Sequence, residues 1–169
     1  MDIKTACIYL KDQTLAIEDL AKDLKPDQVR WKPDAECWSV LEVLNHLLDE
    51  EVLDFRRHLA HILETPDEPW PGIDPQGWVT EKRYNERELE STLASFRAER
   101  RKSIDWLLTL GEPDWDVAVP MPWGQLTAGD MLASWLAHDL LHLRQLIELR
   151  YALTQTYSEP FSVEYAGEW

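Results

Sequence analysis

Apolar residues recur every three or four positions along four long stretches of this chain, and that spacing is the strongest constraint on its fold. The first stretch runs from about Ile3 to Asp23, with Ala6, Leu10, Leu15 and Leu20 facing inward. The second opens at "SVLE", a capping box in which Ser39 and Glu42 each satisfy the other's free amide. It continues through Leu44, Leu47, Leu53, Leu59 and Ile62 to about Leu63. A second box, Asn85 with Glu88, starts the third stretch, which reaches about Leu110 before Gly111 stops it. Thr127 and Asp130 start the fourth in the same way, and it ends near Tyr151. No convincing alternating strand or hairpin pair is visible, and no repeat of the length used by solenoids.

Helices of this length span about 32–38 Å each, and four of them predict an all-α four-helix bundle in a single domain over residues 1–169. The connections are long. "ETPDEPWPGIDPQGWVT" (64–80) is too rich in proline, glycine and acid for a helix and is long enough to cross the bundle. The other two loops are nearly as long, so loop length leaves the topology open. The closing "SEPFSVEYAGEW" is aromatic enough to pack back on the bundle.

Composition narrows the partners. With 32 acidic against 17 basic residues the net charge is −15, which repels phosphate backbones and anionic lipid, so neither nucleic acid nor a membrane surface is an expected partner. The one basic run, "RAERRK" (97–102), reads as the solvated face of a helix. The chain has no apolar run long enough to span a bilayer, its first residues lack the basic start and long apolar stretch expected of a secretory signal, and Cys7 and Cys37 are too few for a disulfide framework. A reduced, cytoplasmic protein acting on a small molecule is the expectation.

The chemistry sits in "MLASWLAHDLLHLRQLIEL" (131–149), where a largely apolar helix carries His138 and His142 one turn apart. Imidazoles at i and i+4 share a face and can bind one metal ion, although two hydrogen-bonded or solvated histidines show the same spacing. "HDLLH" is not a zinc-protease motif, because Asp139 stands where the catalytic glutamate would be and no further histidine follows. Nor are the paired Glu-x-x-His motifs of a di-iron bundle present. A third ligand must come from another helix. His46 in "EVLNHLLDEE" lies toward the flank of its apolar stripe, while His58 and His61, beside "RRH", read as surface residues. Glu50, one turn after His46, shares its face and is the candidate general base or supporting carboxylate, set against the plainer reading of a solvated acid beside Asp49 and Glu51. Cys37, Arg144, Trp123 and Trp135 are given no catalytic role.

"CWSVLEVLNHLLDEE", followed by "WGQLTAGDMLASWLAHDLLHLRQL", resembles the DinB-like superfamily of four-helix-bundle metalloenzymes. Trp38, Ser39, His46, Gly124, Thr127, His138 and His142 stand at the positions of the family pattern, in order and over nearly the whole chain. The resemblance implies an up-down-down-up bundle, frequent dimers, and a divalent metal, commonly zinc or nickel, held by His46, His138 and His142 with an open face. Characterised relatives include S-transferases that use bacillithiol or mycothiol and a mycothiol-dependent maleylpyruvate isomerase. It therefore implies a metal-dependent S-transferase or hydrolase with a low-molecular-weight thiol as co-substrate. The competing expectation is a non-enzymatic bundle with a structural metal, or a small-ligand-binding or stress-response role.

Overall fold

Two apolar clusters, stacked end to end, organise the computed structural model, which describes residues 2–168. Helix α1 (Ile3–Ala21) starts in the lower cluster with Ala6 and Leu10 and ends in the upper one with Ile17 and Ala21. The second long helix does the reverse: α3 (Val40–Glu50) puts Leu41, Leu44 and Leu47 in the upper cluster, and its continuation α4 (Arg56–Glu64) puts Leu59 and Ile62 in the lower one. Helix α6 (Leu89–Thr109) also descends, from Leu93 and Phe96 to Leu107, and α7 (Ala128–Ser158) rises from Leu132 and Trp135 to Leu146 and Leu153. The order is up-down-down-up, with the long second connection carrying the chain back between two parallel helices. Short helices α2 (Pro26–Arg30) and α5 (Pro75–Glu81) lie in the first two connections.

Local chemistry explains most of the helix starts. The Glu42 amide donates to Ser39 Oγ at 3.1 Å while the Ser39 amide donates to Glu42 Oε2 at 2.8 Å. Thr127 and Asp130 make the same reciprocal pair at 2.9 and 3.1 Å. Gly111, with φ of 66°, ends α6 in the left-handed conformation that costs other residues most. Between α3 and α4, residues Glu51–Phe55 form a π-helical turn, the wider coil that inserts one extra residue.

Several expectations are corrected. The 64–80 segment does contain a helix: Asp74 caps α5 by accepting from the Gly77 amide at 2.9 Å, and Pro75 fits the first helical position. Asn85 does not cap α6, which starts after Glu88; instead it sits in a short turn before that helix, where its Oδ1 accepts from Ser39 Oγ at 2.6 Å and ties the turn to the cap of α3. Residues Ala118–Met121 (β1) and Gly124–Thr127 (β2) form a small antiparallel hairpin, Ala118 opposite Thr127, that delivers the chain to the α7 cap. Helix α7 runs past Tyr151 to Ser158 and stops just before Pro160. Leu15 is exposed, and so are Phe161 and Tyr165 of the tail that was expected to pack back; Trp169 of that tail lies outside the described residues. No helix among the described residues is long and apolar enough to cross a membrane.

Candidate metal centre

A polar layer separates the two apolar clusters, and three elements feed it. Glu51 comes from the π turn, Arg100 from α6 and Asp139 from α7, and all three are buried, at 1 %, 2 % and 1 % exposure. Arg100 Nη1 lies 2.5 Å from Asp139 Oδ2, and its Nη2 lies 3.1 Å from Asp139 Oδ1 and 3.0 Å from Glu51 Oε2. Trp135 Nε1 donates to the same Glu51 oxygen at 3.1 Å. The basic run is thus not wholly a solvated face: Arg100 anchors the core, and Asp139 of "HDLLH" is its partner, not a catalytic acid. Because Asp139 directly follows His138, the pair fixes the rotation of α7 about its axis, and with it the direction in which His138 and His142 point.

That rotation brings three imidazoles together. His142 Nε2 lies 3.1 Å from His46 Nε2 and 3.1 Å from His138 Nε2, and the three candidate ligand atoms all fall within 4.8 Å of one another. Two nitrogens each about 2.1 Å from one ion stand roughly 3.0–3.4 Å apart, so both contacts suit a shared ion. Gln145 Oε1, 2.8 Å from His142 Nδ1, accepts the proton of that nitrogen and leaves the Nε2 lone pair facing the other rings. Burial, reinforced by the other two rings, pushes His46 down to about 3. Burial and His142 push His138 down to about 4, and burial lowers His142. All three are therefore neutral at ordinary pH, the form in which imidazole binds metal. His46 Nδ1 and Glu50 Oε1 are buried without hydrogen-bond partners and face each other at 3.9 Å. Three neutral nitrogen donors converging beside an unpartnered carboxyl form a donor set that fits a divalent metal ion.

Glu50 belongs to a line of side chains four residues apart. An α-helix turns about 100° per residue, so such residues drift around its surface; the wider π turn lags and offsets part of that drift. Glu50 shares a hydrogen bond with Asp54, and Asp54 Oδ1 lies 2.6 Å from His58 Nδ1. Burial and the Asp54 contact push the Glu50 carboxyl up to about 9. Burial also pushes Asp54 up, but the hydrogen bonds from His58 and Glu50 outweigh it and leave Asp54 lowered. His58 is not a surface residue: it is 1 % exposed, stacks on Trp70 at 4.1 Å, and its Nε2 donates to the Pro71 carbonyl at 2.8 Å. His61 is buried too, edge-on to Trp70. The arginines at 56 and 57, just before His58, mark this turn as a surface and hide the burial of both histidines.

A cavity of about 710 Å³ opens above the three rings, lined among others by Trp38, Cys37, Glu50, Pro75 and Leu149. Cys37 gains nothing from the helix start beside it, since its thiol donates to Asp34 Oδ2 at 3.3 Å and that contact, with burial, pushes its pKa up. Trp135 is a core residue, whereas Trp123 and Arg144 are exposed.

The comparisons with known proteins agree with this architecture. Residues 10–146 match the family model described as the DinB superfamily. Among solved structures, YfiT from Bacillus subtilis, described as a probable metal-dependent hydrolase with an unusual four-helix bundle topology, superposes with a TM-score of 0.78 at 16 % identity. The match covers 89 % of this chain and 87 % of that one. No curated protein matches the chain significantly.

Proposed function

The chain belongs to the DinB superfamily, and from that premise we propose that it is a metal-dependent enzyme, a thiol-dependent S-transferase or a hydrolase, whose ion is held by His46, His138 and His142. The observation that carries the reading is the convergence of three neutral imidazoles at the floor of a cavity large enough for a small molecule. The description of YfiT as a probable metal-dependent hydrolase supports the hydrolytic branch. Zinc or nickel suits the imidazole set, which leaves a coordination position for water or substrate. A divalent ion there supplies Lewis acidity, lowering the pKa of a water or thiol that reaches it toward neutrality.

The protein's own residues supply the rest. Glu50 is the proton-transfer group. Burial raises its carboxyl and lets it hold a proton, and a cation bound beside it would favour its charged form. Asp54 keeps a negative charge against His58 and fixes the Glu50 carboxyl with its Oε1 free. Gln145 orients His142, and Trp38, in ring contact with His46 at 4.9 Å, closes one side of the floor to water.

The test is turnover by zinc- or nickel-loaded protein in a panel of low-molecular-weight thiols with electrophiles and of activated esters and amides. Metal-dependent activity that disappears in His138→Ala and falls at least tenfold in kcat for Glu50→Gln is expected. A loaded site whose cobalt spectrum ignores added thiols and anions would instead make the metal structural and overturn the enzymatic reading.

A further inference from the structure

The walls of the metal cavity are held to different degrees. His138, His142, Gln145 and Leu149 rise along α7, whose other face is locked into the core by Trp135, Asp139 and Leu146. Pro75 and Gln76 come from α5, in which no residue is buried. Helix α5 touches α3, yet its Trp78 and Val79 are only half-buried. The firm grips lie just outside it. Upstream, Trp70 stacks on the buried His58 at 4.1 Å, and the Pro71 carbonyl accepts from that ring at 2.8 Å. Downstream, Lys82 Nζ lies 3.0 Å from Asp49 Oδ2, and the buried Tyr84 donates its hydroxyl to the same oxygen. Arg83, between them, has φ of 52°, a left-handed conformation that disfavours a residue with a Cβ. Such a residue persists where its surroundings hold it, here through the two neighbours that grip Asp49. At the other end of the segment, Gly72 has open space around it.

We infer that α5 is a movable wall that sets the bulk of ligand the metal cavity admits, and that the Lys82–Asp49 pair is its latch. The inference rests on the proposed reading that this cavity leads a ligand to an ion with an open position. Swinging α5 outward uncovers little apolar surface, because none of its residues is buried, so the latch is the main contact to be broken. The latch side chains are 27 % and 17 % exposed, which keeps that contact weak enough to open. Opening also lets Arg83 leave its left-handed backbone. A small ligand reaches the ion with the wall in place, whereas a bulky one must displace Pro75 and Gln76. The Trp70 and Tyr84 grips stay closed and bound the moving segment at its two ends.

Two uncharged thiols of different bulk test the idea on the cobalt-loaded protein: 2-mercaptoethanol and diphenylmethanethiol, each followed in stopped flow by the thiolate-to-cobalt absorption. Lys82→Met keeps a stem of similar length and removes the latch. It should speed association of the bulky thiol about three- to tenfold and leave that of the small one unchanged. Comparing each thiol with itself across the two proteins cancels differences in acidity and in attraction to the ion. Hydrogen exchange on the metal-free protein gives a second reading. Amides of residues 76–82 should exchange faster in the variant by a similar factor, while those of α7 do not change. Equal effects on both thiols, no effect on either, or unaltered exchange in α5 overturns the movable wall while leaving the metal site standing. A cobalt spectrum unmoved by both thiols overturns the open coordination position, and the inference falls with it.

Discussion

Replacing Arg100 with methionine tests what holds the polar layer together. The guanidinium satisfies two carboxylates that are otherwise enclosed, Asp139 through two contacts and Glu51 through one, and it also donates to the Leu10 carbonyl at 3.3 Å. Methionine fills similar volume without charge, so Arg100→Met strands both acids. Removing one partner of a buried ion pair costs about 3–5 kcal/mol. A second route gives a similar figure. Neutralising one stranded carboxyl of ordinary pKa near 4 at pH 7 costs about 4 kcal/mol, at 1.36 kcal/mol per pH unit, and Glu51, already pushed up by burial, adds less. A loss of about 4 kcal/mol is a large part of a typical total of 5–15 kcal/mol. It lowers Tm by about 8–16 °C in a chain of this size. Urea and thermal unfolding followed by circular dichroism read it directly, with Lys22→Ala as the control, because both partners of the Lys22–Asp19 pair are exposed and its loss should change stability little. The pH dependence supplies the sign. Burial already pushes Glu51 up, and without Arg100 the charge that opposes that rise is gone, so its folded pKa stands above its unfolded one. Its protonated form then favours the fold, so the variant's deficit shrinks as pH falls from 7 toward 4.5 and grows as pH rises. A loss under 1 kcal/mol at pH 7, or a deficit constant across that range, would refute the reasoning.

Other substitutions probe separate links. Ser39→Ala removes the hydroxyl that caps α3 and bonds Asn85, and should cost about 1–2 kcal/mol in urea unfolding. Gly111→Ala forces a Cβ onto a left-handed residue and should cost about 1 kcal/mol, whereas Gly72→Ala, with open space and no positive φ, should change stability by less than about 0.5 kcal/mol. His58→Phe keeps the stack on Trp70 but removes the bonds to Asp54 and Pro71. It should destabilise by about 2–4 kcal/mol and speed protease cleavage within residues 65–74, and unchanged cleavage would show that His58 does not hold this segment.

The bundle was legible because amphipathic helices announce themselves by period, and capping boxes by four adjacent residues. Ser39 with Glu42 and Thr127 with Asp130 stand in the structure as they read in the sequence. The hairpin was not legible, since its strands are four residues long and Pro120 interrupts one of them. Burial of Arg100 and His58 was equally hidden. A helical period reports which face is apolar, and it cannot report that Glu51 and Asp139 on two other helices await a guanidinium. The convergence of His46 on His138 and His142 depends on that same long-range pairing, so spacing proposed the pair on one helix but only the fold brings the third ring to them. Glu50 was visible as a neighbour of His46, whereas its contact with Asp54 across the π turn follows from a local widening that no residue pattern announced.

The central claim is that His46, His138 and His142 hold one divalent ion, and metal stoichiometry tests it most directly. Protein purified without a histidine tag and supplied with zinc or nickel should retain one equivalent per chain after dialysis. His46→Ala, His138→Ala and His142→Ala should each remain folded by circular dichroism and lose at least about 100-fold in metal affinity, because each removes one of the three protein ligands. Metal content near zero with either ion in excess, or variants that bind as tightly as the unchanged protein, would contradict the account.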